Sequence, residues 1–195
     1  MSHGARNVFH GPITYASLVW EHVEWSLFDI VGVDHYRDSR IKDRYLDLLH
    51  PHFDTGKPVV VTEFGMRSYV GADTSGTLGF GVVTIRSRVL HELPLVGRFV
   101  RVRLKGDQVR DETLQAREIA DTLAILESAG VADAFVCTFV DCLARTSEDP
   151  RYDLDMSALS IVKVTAGRGG ITYPDMEWEP KAAFTTIAAV YGADE

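Results

Sequence analysis

Two strand-like runs in this sequence end on residues that can do chemistry. In KPVVVTEFG (57–65) a run of valines leads to Thr62, Glu63, an aromatic residue and a glycine. In FDIVGVDHY (28–36) the run closes on Asp34, His35 and Tyr36. Residues two apart in a strand share a face, so Val59, Val61 and Glu63 are expected to point one way, and Asp34 and Tyr36 likewise on their own strand. A carboxylate at a strand end can serve as nucleophile or base, and a phenol two residues past an acid can hold it in register and tune its basicity. Each residue also has a plainer reading. Glu63 can also be read as a strand-end carboxylate in water or one paired with an arginine such as Arg67, and Tyr36 as an amphipathic core tyrosine. His35 points away from its two neighbours and reads as a packing or surface residue. A third run, VADAFVCTFVD (131–141), ends on Asp141, which either meets a ligand hydroxyl or caps the following loop. Phe139 shares its face.

The elements that must position these residues follow a simple order. GPITYASL (11–18) leans towards a strand, and WEHVEW (20–25) has room for a turn or two of helix. The run from 28 to 36 is apolar on both parities, as in a strand buried on both faces. SRIKDRYLDLLHPHF (39–53) puts Ile41, Tyr45, Leu48 and Leu49 on one helical face, with Pro51 and Gly56 expected to close it. After the strand at 57–65, residues 66–110 show no clean period. DETLQAREIADTLAILESAG (111–130) is the clearest helix: acidic at its start, with Leu114, Ile119, Leu123 and Leu126 in a stripe and Gly130 where a C-terminal glycine cap belongs. A strand at 131–141 and a second irregular stretch at 142–178 lead to a last helix, EPKAAFTTIAAVYG, with Pro180 expected in its first turn. Four strand–helix repeats with buried, parallel-type strands specify an α/β fold. No G-x-G-x-x-G follows any strand, which disfavours a dinucleotide-binding sheet. Long loops after the third and fourth strands suit a (β/α)8 barrel, whose chemistry sits at the C-terminal strand ends. Four units make half of one, a partial TIM barrel expected to span 1–195 as a single domain with long loops at 66–110 and 142–178.

Composition narrows the partners. The chain has 195 residues, 46% hydrophobic and 25% charged, enough for a sizeable core. A net charge of -8 argues against a phosphate-backbone ligand, and no nucleic acid is expected as partner. Two cysteines, Cys137 and Cys142, form neither a disulfide framework nor a zinc pattern, and no apolar run reaches membrane-span length. The N-terminus lacks a signal-peptide core, so a cytoplasmic location is the expectation and a membrane partner is not. Arg86, Arg88, Arg98, Arg101, Arg103 and Lys105 make the loop after the third strand basic; FVRVRLKG within it reads as a solvated hairpin. The acids of EDPRYDLD (148–155) match no calcium loop, and no metal or cofactor is assigned.

Taken together, KPVVVTEFG resembles strand seven of the large clan of retaining glycoside hydrolases on (β/α)8 barrels, in which a glutamate ending that strand is the nucleophile. FDIVGVDHYRD resembles strand six, where such enzymes often place a tyrosine that hydrogen-bonds the nucleophile. VADAFVCTFVD is similar to strand eight, where an aromatic residue floors the sugar subsite, and WEPKAAF resembles the closing helix. Relatives of this type are sometimes labelled abortive phage infection proteins. The resemblance implies Glu63 as nucleophile, Tyr36 as its support, and Asp34, Phe139 and Asp141 as substrate contacts, with a carbohydrate or glycoside as substrate. Phe139 departs from the tryptophan more usual there. The clan's acid sits in an Asn-Glu pair on strand four, whereas the single asparagine here, Asn7, precedes Val8. The resemblance therefore implies the C-terminal half of such an enzyme, a fragment without its acid and inactive alone on unactivated glycosides. The alternative is a non-catalytic half-barrel that binds or self-associates through open sheet edges. A lyase or hydrolase using Glu63 as base is a third reading.

Overall fold

The computed structural model describes residues 2–75, 82–83, 102–165 and 167–192. Arg86, Arg88, Arg98 and Arg101 of the expected basic loop lie outside them. The chain divides into two compact units: Met1–Phe64 with Thr122–Val136, and Gly65–Asp121 with Cys137–Glu195.

The first unit opens with a short helix, α1 (Ser2–Arg6), and is built on a four-stranded parallel sheet in the order β1 (Ala16–Leu18), β2 (Val31–Asp34), β3 (Val59–Phe64), β4 (Asp133–Val136). The protein is thus α/β, with sequential strands as parallel neighbours. β1 is shorter than the run at 11–18, yet that run still lies along β2. Asp29 accepts the Ile13 N–H through its carboxylate at 2.8 Å, and its own N–H donates to the Ile13 carbonyl at 2.9 Å. A 3-10 turn at Trp25–Leu27 replaces the turn of helix expected just before it, and the Lys57 ammonium ties that turn to the start of β3 by donating to the carbonyls of Trp25 and Phe28.

Between β2 and β3 a 3-10 turn at Lys42–Arg44 runs into α2 (Tyr45–Phe53), which buries Tyr45, Leu49 and His52. Pro51 does not close this helix but sits inside its last turn. A proline lacks the N–H that would bond four residues back, and in so short a helix a single such loss is tolerated. Val31, Val33, Val59 and Val61 are all at most 2% exposed, as the apolar runs require.

The division between the units falls within α4 (Glu112–Ser128), whose Leu114, Ile119, Leu123 and Leu126 are all buried, as their spacing requires. Gly130 follows it at φ +77°, and its N–H donates to the Glu127 carbonyl, the left-handed cap that glycine adopts most cheaply.

The second unit begins at Gly65, where an added Cβ would lie 2.5 Å from the Cys137 carbonyl oxygen, so this glycine serves a close backbone approach. The one-turn helix α3 (Ala72–Ser75) and antiparallel bridges Tyr69–Arg110 and Val83–Leu104 follow. β5 (Val162–Val164) pairs antiparallel with β6 (Trp178–Pro180), and α5 (Ala182–Tyr191) closes the chain. Pro180 therefore ends a strand instead of opening the helix. It sits in the terminal ladder position, where a missing N–H is tolerated.

Acids of the 148–155 segment have cationic partners within this unit. Arg110 donates to both oxygens of Asp153 at 2.7 and 2.8 Å and to Asp155 at 2.7 Å, and Lys181, fully buried, lies 3.0 Å from Asp155. Asp149 caps the 3-10 turn at Pro150–Tyr152 and pairs with Arg151. Burial pushes the Lys181 ammonium below its usual range, and the neighbouring Asp155 charge partly restores it.

Candidate active site

At the C-terminal ends of β2 and β3 the sheet holds its two acids and the phenol together. The ladder between them runs Val31–Val59, Gly32–Val60, Val33–Val61 and then Asp34–Glu63, leaving Thr62 without a partner on β2. The β3–β4 ladder shifts in the same place, between Val61 and Phe64. β3 thus carries a bulge at Thr62, which places two consecutive side chains on the face that alternation would give to one.

The hydrogen bonds follow that geometry. Tyr36 Oη donates to Glu63 Oε2 at 2.9 Å, and Thr62 Oγ1 donates to Asp34 Oδ1 at 2.7 Å. The backbone continues the pairing one step further, with the His35 N–H donating to the Glu63 carbonyl at 2.8 Å. Glu63 therefore reaches the face of Asp34 and Tyr36 beside Thr62, and not by the simple alternation with Val59 and Val61 expected from the sequence. Thr62 is the participant that sequence reasoning passed over; its position next to Glu63 was visible, but the bulge that turns it inward was not. Asp34, Tyr36, Thr62 and Glu63 are all half-buried, so the group is held yet reachable. Burial raises the Asp34 carboxyl above its ordinary value; the Thr62 bond opposes the shift, and the Glu63 and Glu21 charges add to it.

His35 turns to the other face of the sheet, buried at 1% exposure and stacked on Tyr45 with ring centroids 3.9 Å apart. Its Nε2–H donates to the Tyr45 carbonyl at 2.8 Å, while Tyr45 Oη donates to the His35 carbonyl at 3.0 Å. With Nε2 as the donor, Nδ1 is bare of a proton, and it is buried without a hydrogen-bond partner among the described residues. Burial lowers the His35 pKa, the Tyr45 carbonyl opposes this and His52 adds to it; His52 is itself lowered by burial. A histidine whose folded pKa lies below its unfolded value binds fewer protons when folded. Its contribution to stability is present above pH 6.5 and is lost as the pH falls below that value. The unfolding free energy from urea titrations should therefore drop between pH 7.5 and 5.5, by up to about 1.4 kcal/mol per pH unit for each proton taken up. His35→Gln should flatten the dependence, and equal slopes in both proteins would remove His35 as its source.

The other two sequence-derived candidates belong to the second unit. Phe139 is 44% exposed and meets Trp178 edge-on at 5.2 Å; Phe184 and Tyr173 complete a four-ring cluster. Phe139 and Trp178 line a cavity of about 540 Å³ with Arg145 and Glu177. Trp178 was not singled out in the sequence, because nothing local links it to a ring 39 residues earlier. Asp141 accepts the Leu143 N–H through Oδ1 at 3.0 Å, so it caps the loop that follows it. Among the described residues no group of three or more His, Cys, Asp or Glu could hold a metal ion, and no helix is long and apolar enough to cross a membrane.

No family model matches the chain, and no curated protein matches it. Among solved structures, a complex of a GH113 β-1,4-mannanase is similar, with a TM-score of 0.49, 16% identity, and coverage of 69% of this chain and 37% of that one. The β-glucuronidase of Ruminococcus gnavus is similar with a TM-score of 0.47 and 16% identity, over 93% of this chain and 26% of that chain. The chain spans well under half the length of either, and neither is described as an abortive infection protein.

Proposed function

We propose that this chain carries the nucleophile part of a retaining glycoside hydrolase, with Glu63 attacking the anomeric carbon and Tyr36 holding it. The observation that carries this reading is the Tyr36–Glu63 hydrogen bond at the C-terminal ends of two paired parallel strands. A carboxylate held by one phenol keeps a fixed rotamer and retains an oxygen for attack, and a phenol donor strengthens when charge shifts on the oxygen it holds. In this reading the sheet is part of a (β/α)8 barrel. The test is Glu63→Gln in the protein that carries this unit, read as hydrolysis of aryl glycosides. Retained turnover removes Glu63 from the role.

A second reading, a non-catalytic half-barrel that associates, draws on the sheet edges. Among the described residues β1 and β4 each have one strand neighbour in the sheet, and Phe135 on β4 is 57% exposed. An edge strand with an exposed aromatic side chain invites pairing with another chain. The chain should then self-associate in sedimentation velocity, and Phe135→Lys should shift it towards monomer. A monodisperse monomer at every concentration would rule this association out.

A further inference from the structure

Glu63 can act only from the face on which the bulge places it, and something must hold it there. We propose that Thr62 is the positioning residue for Glu63, acting through its hydrogen bond to Asp34. That role presupposes Glu63 as nucleophile and adds the device that aims it.

At the bulge the two strands exchange side-chain bonds in opposite directions. The Thr62 hydroxyl on β3 donates to Asp34 Oδ1 on β2 at 2.7 Å, and the Tyr36 phenol just past β2 donates back to Glu63 Oε2 at 2.9 Å. Between them the His35 N–H donates to the Glu63 carbonyl at 2.8 Å. A bulge leaves its extra residue outside the ladder, and Thr62 has no partner on β2. Its side chain supplies the tie that its backbone does not.

Both branches of Thr62 are used. A Cβ added at Gly32 would lie 3.1 Å from Thr62 Cγ2, so the methyl fills the space that a side chain at 32 would take. A β-branched residue has few χ1 choices, and with the methyl seated over Gly32 the hydroxyl is turned to Asp34. Asp34 stands directly opposite Glu63 in the ladder. Tying Thr62 to it fixes the orientation of the peptide that joins Thr62 to Glu63, and with it the direction in which the Glu63 side chain leaves the strand. The alternative is the regular register, in which Glu63 would turn to the face where Val61 and His35 are buried. Short of that, a loosened tie lets the carboxylate drift off its line of attack, and a displacement of about 1 Å is enough to cost about 10²-fold in rate.

The test uses the protein that carries this unit and 2,4-dinitrophenyl 2-deoxy-2-fluoroglycosides of the gluco, galacto and manno series, each as both anomers, whose leaving group needs no acid. Wild type should be labelled on Glu63, read by peptide mass. Absence of the label overturns the nucleophile reading and the role of Thr62 with it. With the label present, Thr62→Val keeps the shape and removes the hydroxyl, and it should slow labelling at saturating reagent by about 10- to 100-fold with little change in the half-saturating concentration. Thr62→Ser should recover most of that rate. In an Asp34→Ala background Thr62→Val should cost nothing further, because the two residues act as one unit. Equal rates in wild type and Thr62→Val, no recovery in Thr62→Ser, or additive losses in the double variant overturn Thr62 and leave Glu63 in place. A last measurement needs no substrate. The Thr62 hydroxyl holds the Asp34 carboxyl down against the upward push of burial, so carboxyl carbon NMR should show Asp34 titrating higher in Thr62→Val. An unmoved titration would mean that the bond is not made in solution, and the positioning role would fall with it.

Discussion

Under the proposed function, Glu63→Gln should lower kcat/KM for glycoside hydrolysis by about 10⁴ to 10⁶, the range found when one member of a catalytic set is removed. The amide keeps the shape of the carboxylate and still offers an oxygen to the Tyr36 phenol, so the bulge and the ladder around it have no reason to move. What disappears is the anionic oxygen that we propose forms the covalent bond, and a neutral amide oxygen is a poor replacement. Thermal midpoints of wild type and variant should coincide, which separates lost chemistry from lost fold. Tyr36→Phe should cost much less. Removing one hydrogen bond to a charged group is worth about 1.5 to 3 kcal/mol, or roughly 10- to 150-fold in rate. Loss in the Gln variant no larger than in the Phe variant would mean that Glu63 is held at the site without reacting there.

Asp155→Ala should cost about 3 to 5 kcal/mol of stability, the price of stranding a buried charge. Lys181 has no exposed side-chain surface, and Asp155 is its ion-pair partner at 3.0 Å. The other hydrogen-bond partners of its ammonium, the Ser160 hydroxyl at 3.4 Å and the Asp155 backbone carbonyl at 3.5 Å, are neutral and at the limit of hydrogen bonding, and the opposed charges of Arg110 and Glu112 also act on it. Arg110 loses less, because Asp153 and Glu112 remain to it. Against a total stability of about 5 to 15 kcal/mol, a loss of this size puts the melting point down by roughly 6 to 20 °C. The pairing of Asp155→Ala with Lys181→Met should recover much of it, since replacing both partners of a buried pair removes the stranded charge. Urea unfolding of the two single variants and the double variant gives the coupling directly. A loss below about 1 kcal/mol in Asp155→Ala would show that water reaches Lys181 and that the pair is not a buried one.

The sequence by itself determined which segments become parallel strands, and that Glu63 and Asp34 stand at the C-terminal ends of two of them. Apolar runs on both parities at 28–36 and 57–65 have no other stable use than a strand covered on both faces, and the stripe of α4 with Gly130 behind it leaves little choice of helix. These are local signals, carried by side-chain period and turn chemistry. Only the tertiary structure decided how far each strand extends, because a strand persists only where a partner supplies its hydrogen bonds: β1 and β4 keep three and four residues of much longer apolar runs. For the same reason Trp178–Pro180 became a strand against β5 rather than the start of α5, and Arg110 found Asp153 and Asp155 more than forty residues away. The decisive case is Thr62. Alternation along β3 alone sends Glu63 to the face of Val61, whereas the ladders to β2 and β4 both step by one residue there and bring Glu63 opposite Asp34. Register is a property of two strands together, so no reading of one strand could have placed these carboxyls side by side.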